Sequence, residues 1–226
     1  MNFLYLLRPG RGTDHLEMRY SLRSVAKHHP NATVYVVGEP YDWMQGVNVL
    51  PYKDTYNNKI KNVTAKIKHA TEQLPDGNYV YMNDDFILLK PWIHATYYDK
   101  TIKDLAEYHK GAWRGRTMEM FCRMYPNDWL SYENHRPHSF RMQDARHIYS
   151  HFQKGEQHAF KTLMGNMANP FPKIKSEGDA KYTDGTYDYW KIIDILRCIS
   201  VSPSSWTGNL KQALDTKFPQ KSKYEV

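Results

Sequence analysis

Apolar and polar positions follow two spacings along the first half of the chain, and these lay out an order of elements. Phe3 to Leu7 is a continuous apolar run of strand length. The segment Arg8-Pro9-Gly10-Arg11-Gly12-Thr13 follows as a loop, its two glycines permitting close approach of backbone to a ligand. Asp14 is a candidate cap for a helix from about Leu16 to His28, where Leu16, Tyr20 and Val25, with Leu22 beside them, form a helical stripe. Pro30-Asn31 ends it. Thr33 to Val37 reads as a β-branched strand stopped by Gly38, and Val47 to Leu50 as a short third strand. A basic amphipathic helix spans Asn58 to Leu74 and closes at Pro75-Asp76-Gly77. Tyr79 to Leu89 is then apolar and β-prone except at Asn83-Asp84-Asp85.

Strands alternating with helices predict parallel βαβ units, an α/β fold with a mostly parallel sheet flanked by helices. Such sheets bind ligands outside the carboxyl ends of their strands, which would bring Arg8 to Thr13 near Asn83 to Asp85. The second half is less regular. Helices are predicted over Thr101–Lys110, Met142–Gln153 and Gln157–Met164, and the apolar run Ile192 to Val201 returns to the core. No internal repeat or low-complexity linker divides the chain, so a single domain over 1–226 is expected, with a regular part at 1–92 and an irregular, helical part at 93–226.

Composition narrows the class. Hydrophobic residues make up 41% and charged residues 24%, the balance of a globular protein rather than a disordered one. No apolar run approaches a membrane span, and the opening Met1 to Leu7 is too short for a signal-peptide core, so a cytoplasmic location is expected. Cys122 and Cys198 are too few for a disulfide scaffold or a Cys-based zinc site and read as reduced core residues. The net charge of +7 favours polyanionic partners: nucleotide phosphates, nucleic acid or acidic membranes. The charge is spread along the chain with no Lys/Arg block, and nothing marks an obligate protein partner. The 18 Tyr and 6 Trp suit stacking on sugars and bases, or the edges of a core.

The candidate chemistry centres on Asn83-Asp84-Asp85. Mg²⁺ and Mn²⁺ take oxygen ligands, often one or two carboxylates plus substrate phosphates. The same residue types also form tight turns, so a metal site and a turn are both open readings. Histidine is the usual base near neutral pH, but with 11 in the chain no one of them stands out by residue type alone; Glu133 and Asp144 are the acidic residues nearest His135 and His138. A zinc site from His135, His138 and His147 lacks the usual helical spacing. Asp184, Asp188 and Trp190 lie in an aromatic and acidic loop suited to a sugar or base, or to a turn.

Several segments together resemble glycosyltransferases of the GT-A type, and more specifically the Stealth family of sugar-phosphate transferases and its small phage-type relatives. Glu17 to Val25 resembles the family's ELRYSLRS helix, Tyr81 to Phe86 its NDD metal segment, and His135-Arg136-Pro137-His138 its HMPH segment. Val34 to Val37 with the Trp43 loop resembles the strand after the helix, and Phe218 to Glu225 the tail of the small phage members. The resemblance implies a GT-A-like, Rossmann-like fold in which 1–92 binds the nucleotide sugar and 93–226 the acceptor. It implies Mn²⁺ or Mg²⁺ on Asp85 and Asp84, and a nucleotide-sugar donor, a UDP-sugar first, held by Arg8, Gly10, Arg19, Asn83 and Asp84. His135 and Asp85 would be catalytic, and His138, Asp184 and Trp190 would meet the acceptor. A hydroxymethylated base in phage DNA is one implied acceptor, in host cytoplasm, and a glycan or a protein are others. Where larger Stealth proteins carry a further acidic motif, this chain reads Ser200-Val201-Ser202-Pro203-Ser204-Ser205-Trp206. Transfer of a sugar, transfer of a sugar-1-phosphate and non-catalytic nucleic-acid binding are therefore the three functional readings.

Overall fold

The computed structural model describes residues 1–7, 15–111, 113–176, 181–206 and 208–226, and for 113–116 the backbone alone. The first half runs β1 (Asn2–Leu6), α1 (Leu16–His28), β2 (Thr33–Val37), β3 (Asn48–Leu50), α2 (Lys59–Gln73), β4 (Asn78–Met82) and β5 (Phe86–Leu88). Then come β6 (Ala95–Tyr98), α3 (Ile102–Tyr108), α4 (Trp113–Cys122), β7 (His138–Arg141), α5 (Met142–Ser150) and α6 (Phe160–Met167). The chain closes with β8 (Lys173–Ser176), β9 (Lys181–Tyr182), α7 (Tyr189–Ile195), β10 (Cys198–Val201) and α8 (Gly208–Lys217).

The main sheet has the order β3-β2-β1-β4-β7, parallel throughout except for the antiparallel edge strand β7. A strand buried on both faces reads as a near-continuous apolar run, and β1 and β4 do so because helices cover both sides. One face packs Phe3, Tyr5, Val34 and Val80 against Met18, Leu22 and Val25 of α1. The other packs Leu4, Tyr79 and Tyr81 against Ile67 and Ala70 of α2 and against α5 and α6. A second sheet, β5-β10-β9, carries α7 and α8, and β6 pairs with β8 in a two-stranded ribbon.

Two serines of α1 tie these layers together. The Ser21 hydroxyl donates to the Phe86 carbonyl at 2.6 Å, and Ser24 Oγ accepts from the Leu88 N–H at 2.9 Å. A helix thus takes up hydrogen bonds that β5 would otherwise leave unmade in the core, where an unpaired backbone group is costly. Both cysteines are free thiols, and Cys198 is wholly buried. Among the described residues no helix is long and apolar enough to cross a membrane.

Four expectations change in detail. The run Tyr79 to Leu89 is two strands in two sheets, and Ile192 to Val201 is the end of α7 followed by β10. The His-Pro-His segment runs into a strand, β7, whose His138 pairs with Tyr81. At the start of α1 the N-cap residue is His15 in a left-handed conformation, with no side-chain cap bond, and Asp14 lies outside the described residues.

Candidate active site

Between β4 and β5 the chain leaves one sheet and enters another. Neither ladder continues through these residues. The Phe86 N–H donates to the Asn83 carbonyl at 3.2 Å and closes a β-turn with Asp84 and Asp85 at its centre. The turn reading and the carboxylate reading therefore describe the same atoms. Asn83 Oδ1 accepts from the Tyr81 hydroxyl at 2.9 Å. The Asp85 carbonyl accepts from the Val201 N–H at 3.1 Å, which fixes Asp85 to β10. Its Oδ2 accepts from Ser200 Oγ at 2.6 Å and from the Lys181 ammonium at 3.1 Å.

This turn floors a cleft of about 930 Å³ at the carboxyl ends of β1 and β4, lined also by Leu6. Its size is that of a small-ligand site. Glu17 enters from the first turn of α1, Lys59 from the first turn of α2, and Asp54 and Lys66 from the same side. Lys66 is nearly buried; its ammonium lies 2.6 Å from Asp54 and donates to the Leu7 carbonyl at 2.5 Å. That carbonyl is also where β2 exits. Gly38 has φ +139°, and a Cβ there would stand 2.5 Å from the Leu7 oxygen, so glycine is required.

The facing wall carries Glu133, Asn134 and His135. Lys161, buried at the start of α6, donates to the Asn134 carbonyl and, at 3.4 Å, to the Arg136 carbonyl, bracketing His135. Gly165 lets α6 close on this segment, since a Cβ there would meet the Tyr132 ring at 2.5 Å. The Thr162 N–H donates to Glu133 Oε1 at 3.0 Å. His158 also lines the cleft, but its two nitrogens are bonded to Tyr125 and Glu156 and its ring stacks on Phe152. Those contacts account for it structurally.

The electrostatics of the floor are uneven. Burial, followed by the nearby charges of Asp85 and Glu17, pushes the Asp84 carboxyl up to about 6, while Lys59 pulls the other way. Asp84 and Glu17 in turn help burial raise the Tyr41 hydroxyl to about 12. Carboxylates thus crowd the turn, with Lys181 paired to Asp85 and only the more distant Lys59 opposing Asp84. Among the described residues no three His, Cys, Asp or Glu side chains converge as a ready metal cage. The donor set still suits Mg²⁺ or Mn²⁺, which bind through one or two carboxylates and complete their shell with water and substrate phosphate. Asp84 and Asp85 would hold such an ion.

The other expected site residues are placed as follows. Arg8 and Gly10 lie outside the described residues. Arg19, expected at the donor, is not part of the cleft lining; its guanidinium lies 3.4 Å from Glu225 and 4.1 Å above the Trp43 ring. His138, expected at the acceptor, is a core residue with zero exposure, beside the Asn169 amide at 3.1 Å, and burial holds its pKa well below the usual value. A side chain with no exposed surface does not meet an acceptor. Asp184 caps its own turn by accepting from the Thr186 N–H and hydroxyl, and Trp190 is a surface residue of α7; neither lines the cleft. Asp144 pairs with Arg141 on the surface. His147 packs on His151, so the three-histidine zinc arrangement does not form.

Sequence reasoning missed Glu17, Lys66, Lys161, Lys181 and Ser200. The serine lay in view as the family's departure; the lysines gave no local signal, because only the fold turns them inward.

No protein family matches the sequence, and no curated protein matches it. The fold does have solved counterparts. The crystal structure of galactosyltransferase LgtC in complex with donor and acceptor sugar analogs matches with a TM-score of 0.54 at 9% identity, over 99% of this chain and 98% of that one. The likeness runs the length of both chains and is one of fold: a mostly parallel sheet flanked by helices, of the GT-A-like type.

Proposed function

We propose that this protein is a glycosyltransferase that moves a sugar from a nucleotide-sugar donor to an acceptor hydroxyl in the cleft below β1 and β4. The observation that carries the reading is the Asp84-Asp85 turn at the carboxyl end of a central strand, opening on a ligand-sized cleft in a GT-A-like fold. The resemblance of Glu17 to Val25 and of Tyr81 to Phe86 to the Stealth family supports it from the sequence side.

The chemistry then divides among named groups. A divalent cation on Asp84 and Asp85 would neutralise the donor diphosphate and the charge that develops on it as the bond to the sugar breaks. Lys59 and Lys181 add positive charge at the same place. His135, or Glu133 beside it, takes the proton from the acceptor hydroxyl. Lys161 holds that segment rigid by its two carbonyl bonds. Donor groups come mainly from the first 92 residues, and acceptor groups from the remainder. A UDP-sugar is the first donor to test, and a hydroxymethylated base in DNA the first acceptor.

Sugar-1-phosphate transfer is the competing chemistry. In the segment that matches the family's further acidic motif, Ser200 stands 2.6 Å from Asp85. That segment, of which Val201 and Pro203 line the cleft, carries no carboxylate between Ser200 and Trp206, which favours transfer of the sugar alone. Calorimetric titration of UDP-, GDP- and CDP-sugars with and without Mn²⁺, followed by identification of the released nucleotide, tests the reading. A diphosphate product is expected. A monophosphate product would mean sugar-phosphate transfer, and binding of no nucleotide sugar under either condition would leave a nucleic-acid-binding module.

A further inference from the structure

The fold gathers lysines that the sequence scatters. At the far end of α1 from the cleft lies a second concavity of about 390 Å³, between the last turns of α1 and α8 and the segment after α8. Glu17 lines the cleft and Lys27 this pocket, ten residues on, so the two sites are ~15 Å apart along the helix. Lys27, Lys217, Lys221 and Lys223 surround it, and no carboxylate is among the lining residues described. Arg23 also lines it, but its charge is spent on Glu225.

Lys27 and Lys223 are anchored without being neutralised. Lys27 donates to the Lys217 carbonyl at 2.7 Å and Lys223 to the Pro30 carbonyl at 2.7 Å, while Lys221 donates to a main-chain oxygen of Val226 at 2.9 Å. Lys217 donates to the Ile193 carbonyl at 3.1 Å; its carboxylate neighbour, Asp194, is 3.9 Å away and 81% exposed. Helix ends account for Lys27 and Lys217, since cations suit the last turn of a helix. They do not account for Lys221 and Lys223, which lie beyond α8. Ammoniums held on internal carbonyls, as those of Lys27 and Lys223 are, act as fixed point charges suited to phosphate.

We propose that this pocket binds the phosphodiester backbone of nucleic acid, independently of the chemistry in the cleft. A bilayer is the less suited polyanion, because the large apolar side chain of the pocket, Phe218, is only 3% exposed and has nothing to insert. The surroundings agree with a positive field: the neighbouring His28 imidazole is pushed down to about 4, by burial first and then by Lys27, His29 and Lys217.

The test is anisotropy of a labelled single-stranded DNA oligonucleotide against the full chain over a salt series, with Lys27→Gln/Lys221→Gln/Lys223→Gln as the variant. All three side chains are exposed, and Lys→Arg at the same positions is the charge-conserving control. The neutral variant is expected to bind at least about tenfold more weakly and to lose about 2 units of the slope of log K against log salt, while the arginine variant keeps both. Unchanged affinity and slope in the neutral variant would overturn the proposal. So would loss of DNA binding only on Lys59→Gln/Lys181→Gln in the cleft. Competition complete at equal phosphate concentration by inorganic phosphate, or retention on phosphatidylserine vesicles with no DNA binding, would also overturn it.

Discussion

Two carboxylates, Glu225 and Asp84, are both pushed up by burial and end in opposite states. Glu225 has a fully buried side chain, and Arg23 grips it through bonds of 2.9 and 3.0 Å. Arg19 adds a contact at 3.4 Å, and the Ser222 N–H and hydroxyl donate at 2.9 and 3.0 Å. Burial pushes its pKa up, but the Arg23 and Ser222 bonds outweigh this and hold it below the usual carboxylate range. Asp84, also pushed up by burial, has two more acids beside it and only Lys59 among charged groups opposing them, and is driven up. Where the chain needs structure it supplies the counter-charge itself; where it withholds one, the site is left to draw a cation from outside. The same contrast explains Arg19, which the sequence offered to the donor and the fold gives to the tail.

The largest effect should come from Asp85→Ala. Loss of a metal-holding carboxylate is expected to lower turnover about a thousandfold, ~4 kcal/mol of barrier, with little change in melting temperature. Turnover surviving at normal Mn²⁺ affinity would remove Asp85 from the site. Glu225→Gln should do the reverse. It leaves Arg23 facing a neutral partner in a part-buried pocket, so about 3 kcal/mol of stability should go, read by urea denaturation, with the activity of the folded fraction unchanged. A Glu225→Gln protein as stable as the parent would break the comparison.

Asp84→Asn sharpens it by its sign. Removing an under-compensated carboxylate should raise stability at neutral pH by about 1 kcal/mol after allowance for its partial exposure, or about 2–4 °C in melting temperature without divalent cations, while weakening Mn²⁺ binding. A lower melting temperature would mean that Asp84 is satisfied as it stands.

What was legible in the sequence was local. The helix Leu16 to His28 and the strand Thr33 to Val37 are found with those bounds, and Asn58 to Leu74 is α2 with its two caps, because periodicity and capping act within a few residues. Strand β7 hid because His138 and Ser139 are polar yet buried, which breaks the alternation. The pairings that build the site hid for a different reason. Ser200 meets Asp85 across 115 positions and Arg19 meets Glu225 across 206, and no window of sequence spans either. The same limit made the positive charge look dispersed, when four lysines share one pocket.

The smallest effect concerns a half-buried titratable group at the end of α1, His28, which has a buried ring nitrogen without a partner. Its pKa is about 4 in the folded protein against 6.5 for a free imidazole, so below pH 6.5 the unfolded chain binds a proton that the folded one refuses. Its neutral burial therefore costs nothing above pH 6.5, and stability falls as pH drops from 6.5 towards 4. Glu225 acts lower: its stabilisation is complete above about 4.5 and is lost as pH falls through its depressed folded value. The two windows separate the groups. His28→Leu should remove a slope of about 1 kcal/mol between pH 6.5 and 4, discounted for the partly solvated site, and leave the acid limb intact. Glu225→Gln should flatten the acid limb and leave the upper one. Melting curves across pH 3 to 7 for the two variants read both at once, and a His28→Leu protein with the parent's slope above pH 4.5 would show that the imidazole protonates in place.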